Sequence, residues 1–166
     1  MSQVLQEELP ASLHPVICAL SGPNLAQEIV DGKPCSTVVA SANEDVAKQA
    51  QSLLTSPKFR VYTNTDIIGV ELGGALKNIM ALGAGICDGL HYGDNAKAAV
   101  ITRGLAEMGR LGVAAGGRAG TLSGLAGMGD LIATCSSPLS RNHQVGEQLA
   151  SGKTISEIRA NMKHVA

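Results

Sequence analysis

The chain has 166 residues, enough for one domain or pieces of two, and its formal charge of -1 leaves no basic excess for nucleic acid. Hydrophobic residues make up 45%, ample for a packed core and too much for disorder. The few aromatics, Phe59, Tyr62 and Tyr92 with no Trp, exclude a platform for stacked bases.

Residues 4–9 read as a helix, and the polar, glutamate-bearing start is unlike a secretory leader. Residues 15–20 are a short, continuously apolar run, as in a strand covered on both faces. The run ends in the turn signal Ser21-Gly22-Pro23. Residues 25–30 read as a short helix closed by Asp31-Gly32, and residues 36–40 as a second strand. Asn43 is placed to cap a helix over 44–54, with Ala47, Ala50, Leu53 and Leu54 on one face. Residues 59–63 are a third strand. Strands alternating with short helices indicate part of an α/β sheet.

The pattern changes after Asn64, and no strand is read from residue 67 onward. A long helix is expected over 65–87, with a kink at Gly83 or Gly85. A polar connection (88–94) leads to a second helix over 95–111, with Ala98, Ile101, Leu105 and Met108 in register. Residues 112–120 read as loose, and a third helix over 121–135 as broken near 127–129. A fourth helix covers 141–150 and stops at Gly152; Thr154 and Glu157 form the capping box of a last one. The longest apolar stretch, 67–86, is interrupted by Glu71, Lys77 and Asn78. A membrane span avoids such residues at its centre, so the stretch reads as a buried helix of a soluble protein. The chain is thus an α/β remnant (1–64) joined to a helical bundle (65–166).

Lys77 stands out, because burying an ammonium without a partner is expensive. Gly73 and Gly74 precede it on the same helix face. They are expected to leave open space in which a ligand meets the lysine. A lysine snorkelling to the surface is the competing reading. Asp130 and Thr134 share a second helix face. Asp130 either caps a helix after the glycines, or pairs with Lys77 or accepts a substrate hydroxyl proton. Ser140-Arg141-Asn142 opens a helix, where free N–H groups and a guanidinium fork suit phosphate. An ordinary serine cap competes here. Cys18, Cys35, Cys87 and Cys135 form no CxxC pair and read as buried thiols in a reducing cytosol. His14, His91, His143 and His164 show no ligand spacing, so no metal site is assigned. Lys97 and Arg103 are assigned to a solvated helix side.

Taken together, these segments closely resemble the NAD(P)-dependent glycerol-3-phosphate dehydrogenases of bacteria. The matching stretches are Ser21-Gly-Pro-Asn-Leu-Ala26, Phe59-Arg-Val-Tyr62, Gly69-Val-Glu-Leu-Gly-Gly-Ala-Leu-Lys-Asn78, Asn95-Ala-Lys-Ala-Ala-Val-Ile-Thr-Arg-Gly104, Gly127-Met-Gly-Asp130 and Ser140-Arg-Asn142. The resemblance implies a dinucleotide-binding (Rossmann-like) domain, present as its C-terminal part in 1–64, followed by an all-α substrate-binding and catalytic domain in 65–166. It implies that Lys77 is the catalytic proton acceptor and also touches the substrate. Gly22, Asn24, Asn78, Asp130, Thr134, Ser140, Arg141 and Asn142 are then substrate ligands, while Ala26 and Arg141 line the cofactor, NAD or NADP. The implied reaction interconverts dihydroxyacetone phosphate and sn-glycerol 3-phosphate and feeds phospholipid synthesis. The setting is a cytoplasmic enzyme, a homodimer being allowed, with no nucleic-acid partner and no membrane span.

The departures are informative. No GxGxxG occurs in the chain, and the family's second, upstream lysine is missing. The sequence is therefore expected to be a fragment truncated at both ends that folds poorly and binds the dinucleotide weakly on its own. Two other readings stay open: another hydroxyacid dehydrogenase of the same broad group, and a non-catalytic helical interaction module.

Overall fold

The computed structural model describes residues 1–161. A short helix, α1 (Ser2–Glu8), comes first, followed by a 3-10 turn over Ala11–Val16. Strands β1 (Ala19–Ser21), β2 (Cys35–Ala40) and β3 (Phe59–Asn64) form one sheet in that order. β2 and β3 run parallel, from Cys35 opposite Phe59 to Ala40 opposite Asn64. They are joined through α3 (Glu44–Leu54), as a βαβ unit requires.

β1 corrects the sequence expectation. Strand pairing begins at Ala19, not at residue 15, and β1 lies antiparallel to β2, with Ala19 opposite Ala40. Pro15 lies within the preceding turn; with no N–H it cannot donate to a ladder. Leu20 is largely exposed, so the strand is not covered on both faces. α2 (Ala26–Val30) leaves β1 and is stopped by Gly32 at φ +71°.

α3 begins where expected. Asn43 Oδ1 accepts from the N–H of Asp45 at 3.0 Å. Its apolar face is shorter than the pattern implied: Ala47 is buried, but Leu53 is 85% exposed. The far half of the helix is instead held by Gln51 Nε2, which donates to the Val61 carbonyl at 2.7 Å.

From β3 the chain enters the long helix α4 (Ile67–Gly89). Asp66 caps it by accepting from the N–H of Gly69 at 2.8 Å, and also accepts from the N–H of Arg118 at 2.7 Å. α4 runs as one continuous helix through Gly83 and Gly85, the positions at which a kink was expected. Among the described residues it is the one helix long and apolar enough to cross a membrane. Here it is the central pillar. α5 (Gly93–Ala114), α7 (Asp130–Ser136) and α8 (Arg141–Ala150) all pack on it. Ala81, Ala84, Met108, Leu131 and Cys135 form the buried core between them. Val38 and Ala40 of the sheet meet Val70 and Ala126 in a second core, which joins the sheet to the helices.

α5 runs on to Ala114, through the start of the stretch expected to be loose. After α6 (Ala119–Leu122) the expected break is a single π-helical turn over Leu125–Gly129. α8 is capped by Ser140 and ends before Gly152, at φ +87°. The predicted capping box opens α9 (Ile155–Asn161): the N–H of Glu157 donates to Thr154 Oγ1, and the N–H of Thr154 donates back to Glu157 Oε2.

Candidate active site

Lys77 leaves the middle of α4 and meets Asp130 at the first position of α7. Nζ donates to Asp130 Oδ2 at 2.5 Å, with the lysine side chain 19% exposed and the aspartate 3%. The capping reading of Asp130 is thereby overturned. Its backbone is helical and its carboxylate is turned inward. The π-helical turn just before it delivers the residue at this angle; such turns insert one extra residue and re-aim the next turn of helix. Asp130 Oδ1 accepts from Thr134 Oγ1 at 3.2 Å. Burial pushes the Asp130 carboxyl above the usual carboxylate range. The hydrogen bond and charge of Lys77 and the hydroxyls of Thr134 and Ser21 oppose this without cancelling it.

The start of α8 closes the other side. Asn142 Nδ2 donates to Asn78 Oδ1 at 2.9 Å, so the residue after Lys77 is tied to the residue after Arg141. Ser140 is buried, and its Oγ accepts from the N–H of His143 at 3.3 Å, which makes it a true cap. Arg141 is exposed and lines the same cleft as Ser140 and Asn142.

That cleft has a volume of about 610 Å³, the size of a small-molecule site. Lys77, Asn78, Asp130 and Thr134 line one part of it, and Asn24 and Ala26 the sheet-side wall. Asn24 Nδ2 donates to Thr37 Oγ1 at 2.8 Å, while its Oδ1 is buried with no hydrogen-bond partner. Gly22 does not line the cleft. It is buried behind it at φ +153°, where an added Cβ would stand 3.1 Å from Thr37. So nine of the ten sequence-chosen residues share one cleft, and Gly22 supports its wall.

Three expectations need correction. Gly73 and Gly74 open no vacancy beside Lys77. A Cβ on Gly73 would run into the Ala126 carbonyl, and one on Gly74 would stand 2.6 Å from Ser21 Oγ. The glycines admit the π-helical turn and Ser21, and neither glycine lines the cleft that Lys77 and Asn78 line. Lys97 is not on a solvated face; it pairs with Asp88 at 3.0 Å. Of the cysteines, Cys87 and Cys135 are buried, but Cys18 and Cys35 are only half-buried; all four are free thiols. Among the described residues no cluster of His, Cys, Asp and Glu could hold a metal ion. His164 lies outside the described residues.

Sequence reasoning missed Ser21 as a partner of Asp130. Its signal was present: it heads the Ser21-Gly22-Pro23 turn at the end of β1, where the chain leaves the sheet toward the helices.

Comparison with known proteins agrees with this arrangement. Residues 66–166 match the family described as NAD-dependent glycerol-3-phosphate dehydrogenase C-terminus, and residues 1–47 match its N-terminus counterpart. The chain belongs to the NAD-dependent glycerol-3-phosphate dehydrogenase family. A glycerol-3-phosphate dehydrogenase (NAD(P)+) of Dehalococcoides mccartyi is 60% identical over all 166 residues, which cover 46% of that protein. One from Thermobifida fusca is 57% identical over the same span and 49% of its own length. The chain thus spans about half the length of the curated relatives it matches. A solved glycerol-3-phosphate dehydrogenase from Coxiella burnetii superposes with a TM-score of 0.87 at 46% identity, over 89% of this chain and 46% of that one. The Saccharomyces cerevisiae enzyme superposes at 0.81 with 35% identity, over 97% and 48%. The sheet-plus-helices architecture is therefore that of a glycerol-3-phosphate dehydrogenase: a Rossmann-like part followed by a helical one.

Proposed function

We propose that this chain carries the substrate-binding and proton-transfer part of an NAD(P)-dependent glycerol-3-phosphate dehydrogenase, which interconverts dihydroxyacetone phosphate and sn-glycerol 3-phosphate. The observation that carries this reading is the Lys77–Asp130 pair facing Arg141 and Asn142 across one cleft. A proton-handling ammonium stands at one end and a phosphate-suited helix start at the other. A phosphorylated triol has a hydroxyl for the first and an anion for the second.

In this reading Lys77, as the neutral amine, takes the proton from the C2 hydroxyl of glycerol 3-phosphate and becomes the ammonium; in the reverse direction the ammonium gives that proton to the ketone oxygen. Asp130 holds the ammonium in place and is itself held by Thr134. Arg141 and the free N–H groups at the start of α8 take the phosphate. Ser140 fixes that helix start, and Asn142 and Asn78 fix its distance from Lys77. Asn24 presents an acceptor on the opposite wall, with Gly22 behind it. NAD or NADP, when bound, exchanges the hydride with C2. The cleft suits its nicotinamide end: Ala26 offers a small apolar wall, Asn24 Oδ1 is an acceptor with no protein donor, and Arg141 reaches from the far side.

The domain division that goes with this reading is 1–64 for the cofactor side and 65–166 for the substrate side; the separate matches to 1–47 and 66–166 support it. The cellular setting is cytoplasmic, without a membrane span, with a homodimer allowed, and the enzyme serves glycerophospholipid synthesis. The packing of α4 against three other helices supports the absence of a span.

The test is a chimera in which this chain replaces the matching 166 residues of the D. mccartyi relative. Oxidation of NADH or NADPH should depend on dihydroxyacetone phosphate, and Lys77→Ala should abolish it while glycerol 3-phosphate still binds. Preference for a non-phosphorylated hydroxyacid, or turnover retained in the lysine variant, would sink the reading.

A further inference from the structure

Asp88, Lys97 and His143 form a polar cluster that the proposed reaction does not use. His143 is 5% exposed, and its Nε2 lies 2.8 Å from Asp88 Oδ2. Lys97 Nζ donates to the same carboxylate at 3.0 Å. Burial pushes the Asp88 carboxyl up, but the hydrogen bonds and charges of Lys97 and His143 pull it below the usual carboxylate range. The carboxylate is therefore an acceptor only at neutral pH, and His143 Nε2 carries the proton. The other groups facing the cluster are Glu147, whose Oε2 is 3.7 Å from His143 Nδ1, and the exposed Asp94, 3.6 Å from Lys97.

The cluster ties three elements: the end of α4, the second turn of α5 and the first turn of α8. Its location matters because of how α8 rests on α4. A Cβ on Gly85 would strike the His143 carbonyl, and one on Gly146 would strike the Leu82 carbonyl and stand 2.9 Å from the Ile86 nitrogen. The two backbones touch along a seam of glycines. At those glycines no side chain interdigitates to stop one helix from sliding along the other, and a neutral hydrogen bond, Asn142 to Asn78, crosses the contact at the start of α8. A directional charged hydrogen bond across it does stop sliding. His143 directly follows Arg141-Asn142, and Asp88 lies roughly three helical turns beyond Lys77 on the same helix. Fixing His143 on Asp88 fixes Arg141 and Asn142 relative to Lys77.

We propose that Asp88, Lys97 and His143 are positioning residues that set the register of α8 on α4, and with it the spacing between the proton-transfer lysine and the phosphate-binding helix start. The proposal rests on the dehydrogenase reading above, in which Arg141 grips the phosphate.

The experiment uses the D. mccartyi chimera and the variants Asp88→Asn, Lys97→Met and His143→Gln. The KM for dihydroxyacetone phosphate should rise about tenfold or more, as expected when a gripping group is displaced, while the KM for NADH stays within about twofold. Lys97→Arg, which keeps the charge, should restore the low KM. Loss of folded enzyme alone lowers kcat at constant KM, so a fall in kcat with unchanged KM in all three variants would overturn the proposal. If His143→Gln does not fold, Lys97→Met reads the same quantity at a half-buried site. Arg141→Ala separates the two ideas. An unchanged substrate KM in that variant overturns the phosphate reading. A raised KM there, with none in the cluster variants, overturns only the positioning role.

Discussion

Lys77 and Asp130, 53 residues apart in sequence, meet through a 2.5 Å hydrogen bond between two helices, and the aspartate is almost wholly buried. Asp130→Asn keeps the shape of the side chain and removes the anion. Turnover of the chimera should fall by about a hundredfold or more, as for loss of a general acid–base assembly. Thr134→Val should be milder, since it removes one hydrogen bond worth about 1 kcal/mol. Steady-state kinetics with a thermal melt on each variant separates the two effects. Equal losses in both variants would deny Asp130 its special place.

Gly73 and Gly109 should respond to the same substitution in opposite directions. A Cβ on Gly73 has no room beside the Ala126 carbonyl, whereas nothing lies within 4 Å of one on Gly109. Gly73→Ala should destabilise by about 1–3 kcal/mol through overpacking. Gly109→Ala, inside α5, should stabilise by up to about 1 kcal/mol through helix propensity. Denaturant melts of the two variants check the signs.

Acid stability should depend on Asp66. Burial pushes its carboxyl up, but the N–H groups of Gly69 and Arg118, the Thr121 hydroxyl and the Arg118 charge bring it below the ordinary value of 3.8. The unfolded chain therefore takes up this proton first as pH falls. The stabilisation is fully present above the unfolded value of 3.8 and is lost as pH drops through the lower folded value. Asp66→Asn should cost about 1–3 kcal/mol at pH 7, from a cap and a charged hydrogen bond. Melting temperatures of the two proteins should converge as pH falls below 3.8.

The thiols should divide by burial. Cys135 is fully buried, and burial pushes its thiol up to about 11. Cys87 is also buried, while Cys18 and Cys35 are half-buried. Iodoacetamide at pH 8 should label Cys18 and Cys35 in the folded chain and spare Cys87 and Cys135. Cys35 should be the slower of the two, because burial and then the Glu28 charge raise its thiol. Peptide mass spectrometry with and without denaturant measures this. Rapid native labelling of Cys135 would contradict the packing around α4.

What the sequence made legible was mostly local. The start of α3 at Asn43, the Ser140 cap and the Thr154–Glu157 box follow from side chains bonding backbone a few residues away. The direction of β1 was not legible, since its partner lies across a turn, a helix and a loop. Lys77 and Asp130 could be paired because a buried ammonium demands an anion. His143 and Asp88, 55 residues apart, carried no comparable sign, since a histidine can be buried neutral. The glycines were misread for a related reason. Sequence shows that Gly73 and Gly74 lack side chains, but not that Ala126 and Ser21 fill the gaps.

Because the π-helical turn and α8 both rest on α4 through bare main chain at Gly73, Gly85 and Gly146, the gap between Asp130 and Arg141 follows the width of the peptide backbone itself. One methyl group at Gly73 would push on the wall that carries Asp130, and one at Gly85 or Gly146 on the wall that carries Arg141.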